Sequence, residues 1–135
     1  MPPEIDHLGI AVRNLDESLR FYAGILGMPI AARETVQAER VHVAMLPAGE
    51  QPASARVELL EASDMDSPIA KFIEKRGPGL HHIALRVEDL AAVTAQLKSE
   101  GAHLLNEPQQ GAGGHTYVFV HPASAGGVLL ELIQK

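Results

Sequence analysis

The chain repeats itself. Asp6-His7-Leu8-Gly9-Ile10-Ala11-Val12 lines up with His81-His82-Ile83-Ala84-Leu85-Arg86-Val87 at an offset of 75, and Arg13-Asn14-Leu15 continues as Glu88-Asp89-Leu90. A chain that carries one pattern twice is expected to fold as two copies of one unit. The register runs on into a helix in each copy. Asn14 or Asp16 is expected to cap a stretch with Leu19, Phe21, Tyr22 and Ile25, and Asp89 one with Leu90, Val93 and Leu97 that stops at Gly101. Alternating, β-branched segments follow: residues 40–47 correspond to residues 115–122, again at 75, with Pro47 over Pro122. The last strands, from Arg56 to Glu61 and from Leu129 to Ile133, set Glu58 over Glu131 at an offset of 73.

Each half therefore reads as a strand, a helix and two or three further strands. Such a unit has one apolar sheet face that it cannot cover alone, so the expected class is α+β. Tandem modules, 1–62 and 80–135, form one curved mixed sheet with helices outside, in a single domain over 1–135. Residues 63–79 are the linker, with a helical piece marked by Pro68, Ile69, Phe72 and Ile73 and a break at Gly77-Pro78-Gly79.

Composition narrows the chemistry. The chain has 11 Lys and Arg against 17 Asp and Glu, a formal charge of −6, with two Tyr, three Phe and no Trp. That leaves neither a basic field for a phosphate backbone nor a stacking surface for bases, so nucleic acid is not an expected partner. No apolar run approaches the roughly 18 residues needed to span a bilayer, and Met1-Pro2-Pro3-Glu4 lacks the pattern of a secretory signal. The expected location is cytoplasmic. There is no Cys, but there are seven His. Any metal must be held by imidazole and carboxylate.

The repeat selects four such residues. His7 and His82 are equivalent, as are Glu58 and Glu131, and both Glu lie between apolar neighbours: Val57 and Leu59, Leu130 and Leu132. One His on a strand is ordinarily structural, and one Glu ordinarily faces water. A carboxylate retained twice on the core face of a strand instead demands a cation or several donors. Two imidazoles and two carboxylates related by a pseudo-two-fold can ring one divalent ion, favouring Co, Mn, Zn, Ni or Fe over an all-oxygen ion. Open coordination positions would then accept two oxygens of a small substrate and stabilise an enolate.

Other polar features carry less. His81 has Asp6 as its counterpart and is read as structural, while His42 takes either a sheet-face role or a solvent position. Gly111-Ala112-Gly113-Gly114 lacks the Lys and Ser or Thr of a P-loop and reads as a mobile loop at the mouth of the site. Lys71, Lys75 and Arg76 form a small basic cluster, a solvated helix face or else a seat for a phosphate-bearing tail of a substrate.

The segments IDHLGIAVRNLDESLRFYAGILG, GLHHIALRVEDL and HPASAGGVLLELIQ resemble the vicinal oxygen chelate superfamily, which includes glyoxalases, over Ile5 to Gln134. Within it they are most similar to the methylmalonyl-CoA epimerase family. The resemblance implies paired βαβββ modules, a metal held by His7, Glu58, His82 and Glu131, and a homodimer. It also implies metal-dependent epimerisation of an acyl-CoA substrate at its α-carbon through an enolate, an isomerase activity with Glu131 as one acid/base. Where several epimerases carry a second carboxylate, this chain has Val43; Glu39, His42 or a metal-bound water are the substitutes. Glyoxalase I, with the same ligands, and a metal-free sequestering protein of the bleomycin-resistance type are the alternatives.

Overall fold

The computed structural model describes residues 2–111 and 114–135. The strands are β1 (Glu4–Ala11), β2 (Ala32–Val36), β3 (Val41–Pro47), β4 (Arg56–Ala62), β5 (Gly79–Arg86), β6 (Gln109–Gln110), β7 (Thr116–Val120) and β8 (Leu130–Gln134). The helices are α1 (Leu15–Leu19), α2 (Pro68–Arg76) and α3 (Leu90–Ser99). The expected βαβββ order therefore occurs twice. By contact density the chain divides into two compact units: His7–His81, and Met1–Asp6 with His82–Lys135. Ala112 and Gly113, the middle of the glycine loop expected at the site mouth, lie outside the described residues.

In the unit of His7–His81 the strand order is β2-β3-β4-β1, with β1 parallel to β4 and the other neighbours antiparallel. The Asn14 side chain caps α1 by accepting from the Glu17 amide at 2.8 Å, whereas Asp16 pairs with Arg33 at 2.8 Å. Only five residues are α-helical before the chain widens into a π-helical stretch over Arg20–Ile25. Sheet alternation divides the apolar side chains between two cores. Leu15 and Leu19 of α1 pack with Ala44, Leu46 and Leu59. Ile69 of α2 packs with Ala11, Val41, Val43 and Leu60 on the opposite sheet face. The α2 helix starts where expected, capped by the Ser67 hydroxyl, and ends at Gly77 with φ 75°.

The second unit repeats the plan. Its order is β5-β8-β7-β6, with β5 parallel to β8. Asp89 caps α3 by accepting from the Ala92 amide at 3.0 Å, and Gly101 follows the helix end with φ 83°. Val87, Leu90, Val118, Val120 and Leu132 form its core. The start of β1 belongs here through charge. Asp6, 1% exposed, accepts from Arg86 at 3.1 Å and Lys135 at 2.8 Å, and Arg86 also reaches Glu4 at 2.9 Å.

One expectation from the repeat is corrected. An offset of 75 sets Val43 over Val118, yet Val43 pairs with Leu60 while Tyr117 pairs with Ile133. Since Leu60 and Ile133 are equivalent, so are Val43 and Tyr117, and the offset in the third strand is 74. A slip of one residue reverses the faces, so the proline alignment was misleading. The offset falls from 75 to 74 to 73 because the second copy is shorter by one residue before each of its last two strands.

The repeat also extends to helix caps that the sequence did not reveal. The Leu15 amide donates to Glu61 at 2.8 Å, and the equivalent Leu90 amide donates to Gln134 at 2.7 Å. Removing either acceptor, by Glu61→Ala or Gln134→Ala, should cost about 1 kcal/mol in urea unfolding. In α3 the buried Thr94 hydroxyl is the one described buried side-chain polar atom without a hydrogen-bond partner. Thr94→Val should therefore stabilise the fold by about 1 kcal/mol in the same assay.

Candidate metal centre

Alternation puts His7, Gly9 and Ala11 on one face of β1, and Glu58 and Leu60 on one face of β4. The register joins them: Gly9 lies opposite Glu58 and Ala11 opposite Leu60, and Ala11 and Leu60 contact the α2-side core. His7 and Glu58 thus share the sheet face that α2 partly covers. His7 is 4% exposed, and its Nε2 lies 3.5 Å from Glu58 Oε2.

The second unit builds the equivalent pair. Ala84 lies opposite Glu131, and His82 is two residues before Ala84 on β5. His82 is 5% exposed and Glu131 9% exposed, with His82 Nε2 3.3 Å from Glu131 Oε1. Phe119 lies opposite Glu131 across β7 and presents its ring at right angles to the His82 imidazole, centroids 6.0 Å apart. Phe119 was missed in the sequence because the 75-residue register assigned it to the wrong face. The alternation of Tyr117 and Phe119 with Val118 and Val120 was the available signal.

Each pair can be tested against a metal. Adjacent donors on an octahedral ion with bonds near 2.1 Å lie about 3 Å apart. The two N···O separations, 3.5 and 3.3 Å, need only a small contraction. Imidazole nitrogen with carboxylate oxygen is also the donor mixture that first-row transition ions take. The donor set fits.

The other polar residues separate cleanly. His81 sits edge-on to Phe72 of α2 at 4.9 Å, and burial pushes its imidazole below the ordinary histidine range. His42 pairs with Thr35 at 2.8 Å between Nδ1 and Oγ1, and its row on β3 includes Ala44 and Leu46 of the α1-side core. It therefore lies on the face opposite Val43. Glu39 belongs to a 3-10 turn, Gln37–Glu39, on the exposed connection between β2 and β3. Val43 itself is 7% exposed within the α2-side core, without a titratable group.

The superfamily model described as Glyoxalase/Bleomycin resistance protein/Dioxygenase matches residues 6–119. The chain belongs to this superfamily. Among its relatives in the superfamily, human mitochondrial methylmalonyl-CoA epimerase is 35% identical over 132 residues, covering 96% of this chain and 73% of the human protein. The ethylmalonyl-CoA/methylmalonyl-CoA epimerase of Cereibacter sphaeroides is 35% identical over 133 residues, covering 96% of each chain. A solved structure of a Streptomyces coelicolor methylmalonyl-CoA epimerase variant in complex with 2-nitronate-propionyl-CoA is similar at a TM-score of 0.90 and 34% identity. That match covers 97% of this chain and 96% of the other.

Proposed function

We propose that this chain is a metal-dependent methylmalonyl-CoA epimerase in which residues 1–135 act as one domain. The observation that carries the reading is the recurrence, in each module, of a buried imidazole Nε2 aimed at a glutamate carboxylate. We infer that the two pairs, His7 with Glu58 and His82 with Glu131, supply the donors for one ion. The relatives named as epimerases, each matched over 96% of this chain, support the same assignment. The chain is an enzyme of the isomerase class. We further infer a cytoplasmic homodimer; among the described residues no helix is long and apolar enough to cross a membrane.

The α-carbon of the substrate lies between a thioester and a carboxylate. A divalent ion held by His7, Glu58, His82 and Glu131 would supply positive charge for one oxygen of each and for the enolate. The two His orient through their Nε2 atoms, and the low exposure of His82 and Glu131 limits access of bulk water. Glu131 is the proposed base: its carboxylate takes the α-proton, and the C–H electron pair moves toward the thioester oxygen. Proton delivery to the opposite face then inverts the centre and restores the thioester. Val43 cannot make that delivery, and His42 lies on the other face of its strand. Glu39 or a water molecule is the remaining donor.

Incubation with methylmalonyl-CoA in heavy water should exchange the α-proton far above background. Turnover of glutathione hemithioacetals alone would overturn the assignment in favour of a glyoxalase. Chelation should abolish exchange and a first-row divalent ion restore it; full activity after verified metal removal would contradict the mechanism. Glu131→Gln should lose at least about 100-fold in kcat, the lower range for a general base, with a much smaller loss of metal affinity. Proportional losses would make Glu131 a ligand only.

A further inference from the structure

Of the chain's eleven Lys and Arg, five form ion pairs with acids at known distances. Arg33 pairs with Asp16, Arg40 with Asp64 and Asp66, Arg86 with Glu4 and Asp6, Lys98 with Glu107, and Lys135 with Asp6. Lys71, Lys75 and Arg76 make no ion pair among the described residues, and neither do the separate Arg13 and Arg20, but these three are exposed together on one helix, α2. Glu74, the acid among them, makes none either. Lys75 and Arg76 lie in the last helical turn, where a cation complements the helix dipole. Lys71 is a turn earlier, and at i, i+4 it adds to Lys75 the repulsion of a like charge. Dipole compensation leaves that arrangement unexplained.

The position of α2 supplies a reason. Its apolar side, Ile69, Phe72 and Ile73, packs on the sheet face that carries His7 and Glu58, and Phe72 contacts His81. The three cations therefore ride on the solvent side of the helix covering that face. We propose that Lys71, Lys75 and Arg76 bind the phosphate groups of the acyl-CoA, an inference that rests on the substrate class proposed above. The reacting acyl group and the phosphates lie at opposite ends of the pantetheine arm. A polyanion approaching a protein of net charge −6 needs a local positive field, and an unneutralised helix face provides one. Lysines suit the task as mobile point charges that follow a flexible phosphate. Binding the tail also contributes affinity far from the reacting carbon.

The test compares methylmalonyl-CoA with methylmalonyl-pantetheine, which lacks the phosphates, in the metal-loaded enzyme. For Lys71→Gln/Lys75→Gln/Arg76→Gln, the ratio of kcat/KM for the CoA thioester to that for the pantetheine thioester should fall on the order of 10-fold at low salt. The effect should shrink as ionic strength rises. Arg20→Gln, which removes an exposed charge from the helical stretch packed on the α1-side core rather than the α2-side core, should leave the ratio unchanged. An unchanged ratio in the triple variant, or an equal fall in Arg20→Gln, overturns the proposal. If the unaltered enzyme turns over neither thioester, the epimerase reading fails by itself. Calorimetric titration with CoA then decides the site: binding weakened about 10-fold in the triple variant supports it, and equal binding or none in both proteins overturns it.

Discussion

Both modules depend on one constraint, the parallel pairing of the first strand with the last. Ile10 meets Leu59 in one and Leu85 meets Leu132 in the other, after the chain has made a helix and two intervening strands. Such long-range closure costs entropy, and apolar burial on both faces of the strands offsets it. The pairing then does three local jobs. It extends the ladder by backbone bonds from Val12 to Leu60 and from Val87 to Ile133, each 2.9 Å. It brings Glu61 and Gln134 under the first amides of α1 and α3. It also sets an imidazole beside a carboxylate in each module. A displaced register would lose the cap and the His–Glu pair together.

Much of this was legible because the repeat compares the chain with itself. Helix caps at Asn14 and Asp89, the linker helix and the turn at Gly77 follow from local chemistry, which short sequence windows contain. The His–Glu pairs were legible because a buried carboxylate is costly enough to stand out when it occurs twice. The third strand was misread because a terminating proline fixes where a strand stops without fixing which residue faces which. Phe119 was lost with that register. The caps by Glu61 and Gln134 were hidden for another reason: they connect residues 46 and 44 positions apart and need the strand pairing to be known first. Asp6 was paired in the repeat with His81, a comparison that gave no hint of a buried carboxylate holding two cations.

The copies have diverged around a shared frame. Glu61 and Gln134 make the same cap with different charge, so geometry at that position is kept while electrostatics is free to vary. Val43 and Tyr117 occupy equivalent places on their third strands, one wholly aliphatic and the other carrying a phenol in contact with Gln109 at 3.3 Å. His7 with Glu58 and His82 with Glu131 have not diverged in this way. Each module thus keeps the same imidazole–carboxylate pair within surroundings that differ from copy to copy.

The ion pair between Asp6 and Lys135 has a consequence for the ends of two strands. It joins β1 to the residue after β8 at 2.8 Å, inside one compact unit. Arg86 ends β5 and Lys135 follows β8, so a single buried carboxylate holds both strand ends, and neutralising Asp6 would loosen the two together.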